Sequence, residues 1–166
     1  MLLRINEQRS DPVLAQLPPI PIPAGCVLIS PWVSLDIQQK TERYYCDYVR
    51  TWQLAYYREN YVPRYDSMEP NYRDAFIRNP FISPLYGNFD NFCPTLVVYG
   101  GGELLEPQAL ALIDRLEQHH VSVTSITRPK TGHIYVIQPH VCSRKSIWRQ
   151  DLTKVMDWCA TVGGKH

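Results

Sequence analysis

Two loops of the 166-residue sequence carry side chains that could form an acid–base pair. Glu103 follows an apolar run at 95–99, and His133 follows a β-branched run at 121–127. Each run predicts a strand, and parallel strands gather functional side chains at their carboxyl ends. A carboxylate that holds an imidazole in one tautomer is the supporting half of a nucleophile–histidine–acid triad. Taken alone, one Glu and one His in loops are more often ordinary polar residues, so both interpretations stay open.

Three consecutive glycines at 100–102 stand between the first of these strands and a predicted helix. Backbone N–H groups in such a turn can cradle a phosphate. The spacing fits neither G-x-G-x-x-G nor a Walker loop, and Glu103 and Glu106 place negative charge where the phosphate would sit. The sequence therefore favours a tight turn that needs glycine backbone angles over a nucleotide site.

The remaining histidines and the cysteines are the other candidate metal ligands. His119 and His120 end a predicted helix, and His140 has no partner at metal-ligand spacing. The five cysteines are odd in number, widely spaced and without a C-x-x-C pair, which argues against a disulfide framework and a structural zinc site. We therefore predict no metal and no cofactor.

The composition limits the classes of partner. The net charge is +1, from 17 basic and 16 acidic residues, so no strong field attracts nucleic acid or an anionic membrane. The longest apolar stretch, at 25–33, is far shorter than the roughly 20 residues of a membrane-spanning helix. The first residues lack the apolar length and the cleavage site of a signal peptide. These features predict a single soluble, cytoplasmic domain with no nucleic-acid partner and no membrane span.

Hydrophobic periodicity predicts the elements that would position the acid–base pair. The continuous apolar runs at 26–29 and 95–99 are typical of strands buried on both faces of a parallel sheet. Apolar residues at helical spacing within 106–120 predict a helix after the second of these strands. With the further strand at 121–127, they form one β-α-β unit, so we expect parallel pairing.

The other segments are predicted to lie outside the sheet. An amphipathic pattern at 148–159 predicts a terminal helix that stops before Gly163 and covers one sheet face. The stretch 41–72 holds eight tyrosines among many charges and is predicted to be partly helical. Four prolines within 17–23 predict an extended connector, and the apolar residues of 1–9 are typical of the tail of a helix.

Four motif-bearing segments follow one another in a fixed order: AGCVLISPWVSLD at 24–36, NPFISPLYG at 79–87, PTLVVYGGGELL at 94–105, and Gly132-His133. In this order they resemble the α/β-hydrolase fold-3 esterases, the hormone-sensitive-lipase-like group that includes steryl-acetyl-hydrolase-like members. The resemblance covers most of residues 1–160 and implies a small hydrophobic ester as substrate. It also implies an α/β fold: a partial α/β-hydrolase fold with about three C-terminal strands of a mainly parallel sheet and flanking helices.

The resemblance implies that Glu103 is the catalytic acid and His133 the catalytic base. The acid in much of this group is aspartate, but either carboxylate suits the role. Glu106 is the alternative acid if the turn lies in another register. One domain would fill 1–166, with the strand and S-P-W segment at 24–36, an aromatic helical excursion at 41–75, the β-α-β unit and acid turn at 94–128, and the histidine loop and terminal helix at 129–162.

The family's nucleophile is missing from the sequence. A nucleophile elbow, G-x-S-x-G, needs two glycines four positions apart, and no two of the eight glycines have that spacing. There is no H-G-G-G oxyanion loop either. We therefore expect a C-terminal fragment of a serine esterase, inactive alone because acyl transfer needs its nucleophile. The alternative is a non-catalytic remnant that acts as a binding or interaction module, with self-association through an exposed strand edge at 26–29.

Overall fold

Three parallel strands and four α-helices make up the described part of the chain, which comprises residues 12–16, 18, 21–37, 46–142 and 144–164 of the computed structural model. The strands are β1 (Cys26–Ile29), β2 (Thr95–Gly101) and β3 (Val123–Pro129), in the spatial order β1-β2-β3. The helices are α1 (Thr51–Tyr61), α2 (Pro70–Ile77), α3 (Glu106–Gln118) and α4 (Lys145–Gly163). Single 3-10 turns lie at Leu14–Gln16, Tyr65–Ser67, Pro84–Tyr86 and Pro139–Val141. The predicted parallel α/β architecture is confirmed.

Some predicted segments cannot be compared with the structure. The helix tail predicted at 1–9 lies outside the described residues. So do positions 17, 19 and 20 of the proline connector and positions 41–45 of the tyrosine-rich stretch. The described positions of the connector, 18 and 21–23, lie in neither a helix nor a strand, in agreement with its proline content.

Strand β2 is the centre of the sheet, because it pairs in parallel with β1 on one side and β3 on the other. Thr95 lies opposite both Cys26 and Val123. The side chains of Leu96, Val97 and Val98 are 0% exposed, as the unbroken apolar run predicted for a strand covered on both faces.

The two faces of β2 are covered by different helices. On one face, Val97 and Tyr99 pack with the buried stripe of α3, which consists of Ala109, Leu112 and Leu116. On the other face, Leu96 and Val98 pack with α4 and with the apolar residues that follow His133. Each fully buried leucine stabilises this sandwich by roughly 1.5–3 kcal/mol. The sheet is therefore held between two helix layers, α3 on one face and α4 on the other.

Several strand and helix ends differ from the predicted ends by one or two residues, and α4 begins three residues before its predicted pattern. Strand β2 continues to Gly101, because Gly100 and Gly101 remain in register with β3. Strand β3 begins at Val123 and not at Val121, since the Val121 N–H donates to the Leu116 carbonyl and closes the end of α3. Helix α4 includes Gly163, one residue beyond its predicted end.

The tyrosine-rich excursion is partly helical, as predicted, and it lies beside the sheet. Helix α1 starts after Arg50, whose backbone N–H donates to the Gln53 side chain. Helix α2 starts where Glu69 accepts the Tyr72 N–H, and it ends at Ile77, two residues beyond the predicted boundary. None of the described helices is both long and apolar enough to cross a membrane.

Candidate active site

Glu103 lies in the turn after β2 and is 0% exposed. Its Oε2 atom accepts hydrogen bonds from the Ser30 hydroxyl at 2.7 Å and from the Gly100 N–H at 3.1 Å. Its Oε1 atom is buried and has no hydrogen-bond partner in the described part of the chain. One oxygen is therefore anchored, while the other is held away from water without a donor.

His133 lies in the loop after β3, directly beside this carboxyl group. Its Nδ1 atom is 4.0 Å from Glu103 Oε2, and its side chain is 20% exposed. Nδ1 is also buried without a hydrogen-bond partner among the described atoms. The Tyr48 ring packs edge-on against the imidazole, with 6.0 Å between ring centroids. The structure thus brings the two sequence-predicted residues together, in a looser geometry than a hydrogen bond.

The other sequence candidates lie elsewhere. Glu106 begins α3, and its carboxylate forms no ion pair with His133 in the described residues. His119 contacts Asp90 on the surface, 2.6 Å from Nδ1 to Oδ1. Within the described ranges, no group of three or more His, Cys, Asp or Glu side chains is arranged to hold a metal ion.

Burial controls the protonation of the pair. Desolvation raises the pKa of Glu103 to about 7, although the hydrogen bonds from Ser30 and Gly100 act in the opposite direction. Desolvation lowers the pKa of His133, although the negative charge of Asp47 opposes that change. Near neutral pH the imidazole is therefore uncharged and able to accept a proton, and Glu103 is close to its midpoint of titration.

Two glycines of the site, Gly100 and Gly132, are required because neighbouring backbones leave no room for a side chain. None of the glycines has a positive φ, so the prediction that the triplet needs glycine backbone angles is wrong. A Cβ atom on Gly100 would collide with the Thr131 carbonyl oxygen. A Cβ atom on Gly132 would lie 2.5 Å from the Cys46 carbonyl oxygen. The acid turn, the histidine loop and the segment before α1 therefore meet with their backbones in contact.

Sequence reasoning missed Ser30 as a member of the site. Its hydroxyl donates to Glu103 and accepts the Ile134 N–H at 2.8 Å, so it links the acid to the histidine loop. Its φ of 46° is unusual for a residue other than glycine, and such strain is found mainly where the surroundings fix it. Its place directly after β1, at the same sheet edge as Glu103, was the available signal.

Asp47 is a second residue that was missed. Its side chain is 4% exposed and its oxygens accept the backbone N–H groups of Leu104 and His133, at 2.7 and 3.1 Å. No sequence pattern pointed to it, because it lies in the tyrosine-rich stretch that was assigned outside the sheet.

Comparison with known proteins gives the family of this fold. A family model described as the alpha/beta hydrolase fold matches residues 2–137. No curated protein matches the chain significantly. Solved structures with which it superposes include a hormone-sensitive lipase from a metagenome library (TM-score 0.74, 20% identity, 97% of this chain and 48% of that one). Others are the hormone-sensitive-lipase homologue EstE7 from a metagenome library (0.73, 21%, 97% and 50%) and an esterase/lipase from an uncultured bacterium (0.69, 16%, 97% and 47%).

At these identities the likeness to solved structures establishes the fold. The chain spans about half the length of the solved structures that it matches.

Proposed function

Because the chain belongs to the α/β-hydrolase fold family, we propose that it carries the acid and the base of a serine carboxylic-ester hydrolase. Glu103 is the acid and His133 is the base. The serine nucleophile and the oxyanion donors are supplied by residues that this sequence does not contain. Three of the solved structures with the same fold are described as esterases or lipases, and their descriptions support the reaction class.

The 4.0 Å approach of His133 Nδ1 to Glu103 Oε2 is the observation that carries the proposal. The two residues are thirty positions apart in the sequence and follow different strands of the sheet. Both also stand at matching motif positions of the family that the sequence resembles. Catalytic hydrogen bonds are often long without substrate and tighten in the reactive complex, so this separation suits an acid that orients a base.

The chemistry assigns one role to each atom of the pair. With Nδ1 directed at Glu103, Nε2 is left to accept the hydroxyl proton of the serine while the serine oxygen bonds to the ester carbonyl carbon. The carbonyl π electrons move to oxygen, return as the bond to the alcohol breaks, and the imidazolium gives its proton to the leaving alkoxide. Water repeats both steps on the acyl-enzyme and releases the carboxylic acid. The ionised Glu103 stabilises the transient imidazolium.

The first test is to sequence the transcript upstream of Met1 in frame. A G-x-S-x-G and an H-G-G-G are expected there, and a longer reading frame without a serine elbow would overturn the proposal. The longer protein is then assayed with p-nitrophenyl butyrate. Glu103→Gln and His133→Ala should each lower kcat by about 10²- to 10⁴-fold, whereas the surface variants Glu117→Gln and His140→Ala should not.

The isolated chain provides an independent arm of that test. Without a nucleophile it should hydrolyse p-nitrophenyl butyrate no faster than buffer does. Turnover by the 166-residue chain that disappears in His133→Ala would contradict its assignment as inactive alone.

A second candidate function is that of an interaction module that associates with another copy of itself. Each residue of β1 is partly exposed, and β1 pairs with β2 alone among the described strands. An unpaired strand edge is a template for pairing with another chain. Helix α1 also exposes apolar side chains, among them Trp52 at 69% and Tyr61 at 62%.

A further inference from the structure

Asp47 holds together the two loops that carry Glu103 and His133. Its Oδ2 atom accepts the Leu104 N–H at 2.7 Å, and its Oδ1 atom accepts the His133 N–H at 3.1 Å. These partners are 57 and 86 positions away in the sequence. Leu104 is the residue after the acid, and the second donor is the backbone of the base itself. A single side chain thus binds the backbone next to Glu103 and the backbone of His133.

The carboxylate of Asp47 is well suited to this position. An ionised carboxylate has only acceptor sites, and all of its described partners are N–H donors. The third donor is the Val49 N–H at 3.2 Å, which forms a local turn before α1. Asp47 is 4% exposed, so its carboxylate has lost its hydrogen bonds to water. The three N–H donors replace them.

The segment that carries Asp47 is packed directly on the site. The Cys46 carbonyl oxygen leaves no room for a Cβ atom on Gly132, which precedes His133. The Tyr48 ring packs against the imidazole. Residues on both sides of Asp47 therefore contact the histidine loop, so the carboxylate cannot move without moving that loop.

Asp47 also acts through its charge. The charged groups that face the imidazole among the described residues are Glu103, at 4.0 Å, and Asp47, whose field favours the protonated ring. Ser30 links the same two loops from the β1 side, but it is neutral. Asp47 is thus the one described bridge between the loops that combines hydrogen bonds with a negative charge.

We infer that Asp47 is a positioning residue of the Glu103–His133 pair: its buried carboxylate sets the spacing of the two loops and supplies a second negative charge to the imidazolium. This inference rests on the proposed function. The competing explanation is that Asp47 merely forms the turn before α1 through its bond to the Val49 N–H, in which case its loss would reduce stability and leave the titration of the imidazole unchanged.

The test is an NMR titration of the His133 ring in the 166-residue chain, with the amide signals of Leu104 and His133 followed together. Asp47→Asn removes the charge and one acceptor, so the titration midpoint of His133 should fall by about 1 pH unit. The two amides should lose protection from solvent exchange. Asp66→Asn is the matched control, because Asp66 lies in the same excursion and is exposed, paired with Arg58. It should leave the midpoint unchanged.

An unchanged midpoint in a folded Asp47→Asn chain would overturn the inference, even if stability falls. If that variant does not fold, Asp47→Glu decides the question. Glutamate retains the charge, but its extra methylene misplaces one oxygen. The titration midpoint of His133 should therefore move, and one of the two amides should exchange faster. An unchanged His133 midpoint and unchanged exchange of both amides in Asp47→Glu would also overturn the inference. The titration needs no nucleophile, so a longer protein without a serine elbow would overturn the proposed function and leave this result interpretable.

Discussion

The central fact at the scale of single residues is that Glu103 is a carboxyl group kept from water. Burial raises its pKa to about 7, and only one of its oxygens has hydrogen-bond donors in the described structure. Its neighbour His133 has a lowered pKa, so burial shifts both groups toward their uncharged forms. A triad acid must be ionised to stabilise an imidazolium, so the proposed activity should rise as the pH increases through about 7.

The same pKa predicts a pH-dependent stability. The pKa of Glu103 in the folded state, about 7, is above its ordinary value of 4.5, so the fold prefers the protonated acid. That contribution is complete below pH 4.5 and is lost as the pH rises through about 7. Relative to Glu103→Gln, which cannot titrate, the wild-type free energy of unfolding should fall by about 3 kcal/mol across this interval, at about 1.4 kcal/mol per pKa unit.

Urea denaturation of both proteins at several pH values between 4.5 and 7.5 measures this difference. Contributions from groups other than Glu103 largely cancel when the two proteins are compared. A difference in unfolding free energy that stays constant across the interval would contradict the prediction.

At the scale of elements, a buried carboxylate on α4 ties the histidine loop to strand β3 and to α4. Asp151 on α4 is 0% exposed and binds Arg128 of β3 through both oxygens, at 2.7 and 2.8 Å. The Tyr135 hydroxyl donates to the same carboxylate at 3.1 Å. Burial acts to raise the pKa of Asp151, but the hydrogen bonds from Arg128 and Tyr135 outweigh it, so the pKa is lowered. Three elements therefore depend on one ionised side chain.

Loss of that carboxylate should destabilise the chain. Asp151→Asn removes the charge that pairs with Arg128, and breaking a buried pair costs about 3–5 kcal/mol. The Arg128 side chain is 29% exposed, which reduces the expected loss to roughly 2–4 kcal/mol. Asp157→Asn, on the exposed face of the same helix, should change stability by no more than about 0.5 kcal/mol. Equal urea midpoints for the two variants would refute the interpretation that Asp151 holds β3, α4 and the histidine loop together.

At the scale of the whole molecule, the sheet has a protected centre and an unpaired side. The Cys26 N–H donates to the Pro94 carbonyl, directly before β2, and the Ser30 N–H donates to the Val98 carbonyl of β2. In a parallel strand alternate residues bond the same neighbour, so the N–H groups of Val27 and Ile29 point away from β2. No described strand covers that edge. The chain spans about half the length of the solved structures that share its fold.

We expect the isolated chain to self-associate through this edge. Light scattering should report a mass above the monomer value of 19.3 kDa that increases with concentration. Val27→Pro removes an outward N–H at a position where an edge strand tolerates proline, so it should reduce association while circular dichroism stays unchanged. A monomer at all concentrations would count against the interaction module.

Much of this protein could be predicted from local sequence patterns. The motifs pointed to Glu103 and His133, whose side chains lie 4.0 Å apart and whose catalytic roles stay a prediction. The apolar runs identified β1 and β2, and the helical spacing of Ala109, Leu112 and Leu116 identified α3. These predictions succeeded because hydrophobic periodicity and turn chemistry act over a few neighbouring residues. The order of the motifs was also enough to identify the family.

Only the tertiary structure decided how these residues act on one another. The bond from Ser30 to Glu103 spans 73 positions, and the bond from His133 to Asp47 spans 86. The raised pKa of Glu103 depends on layers of side chains from several elements. Gly100 and Gly132 are necessary because distant backbones pass beside them and not because of their own backbone angles. Contacts and burial of this kind arise from the packing of remote segments, which no local pattern in the sequence encodes.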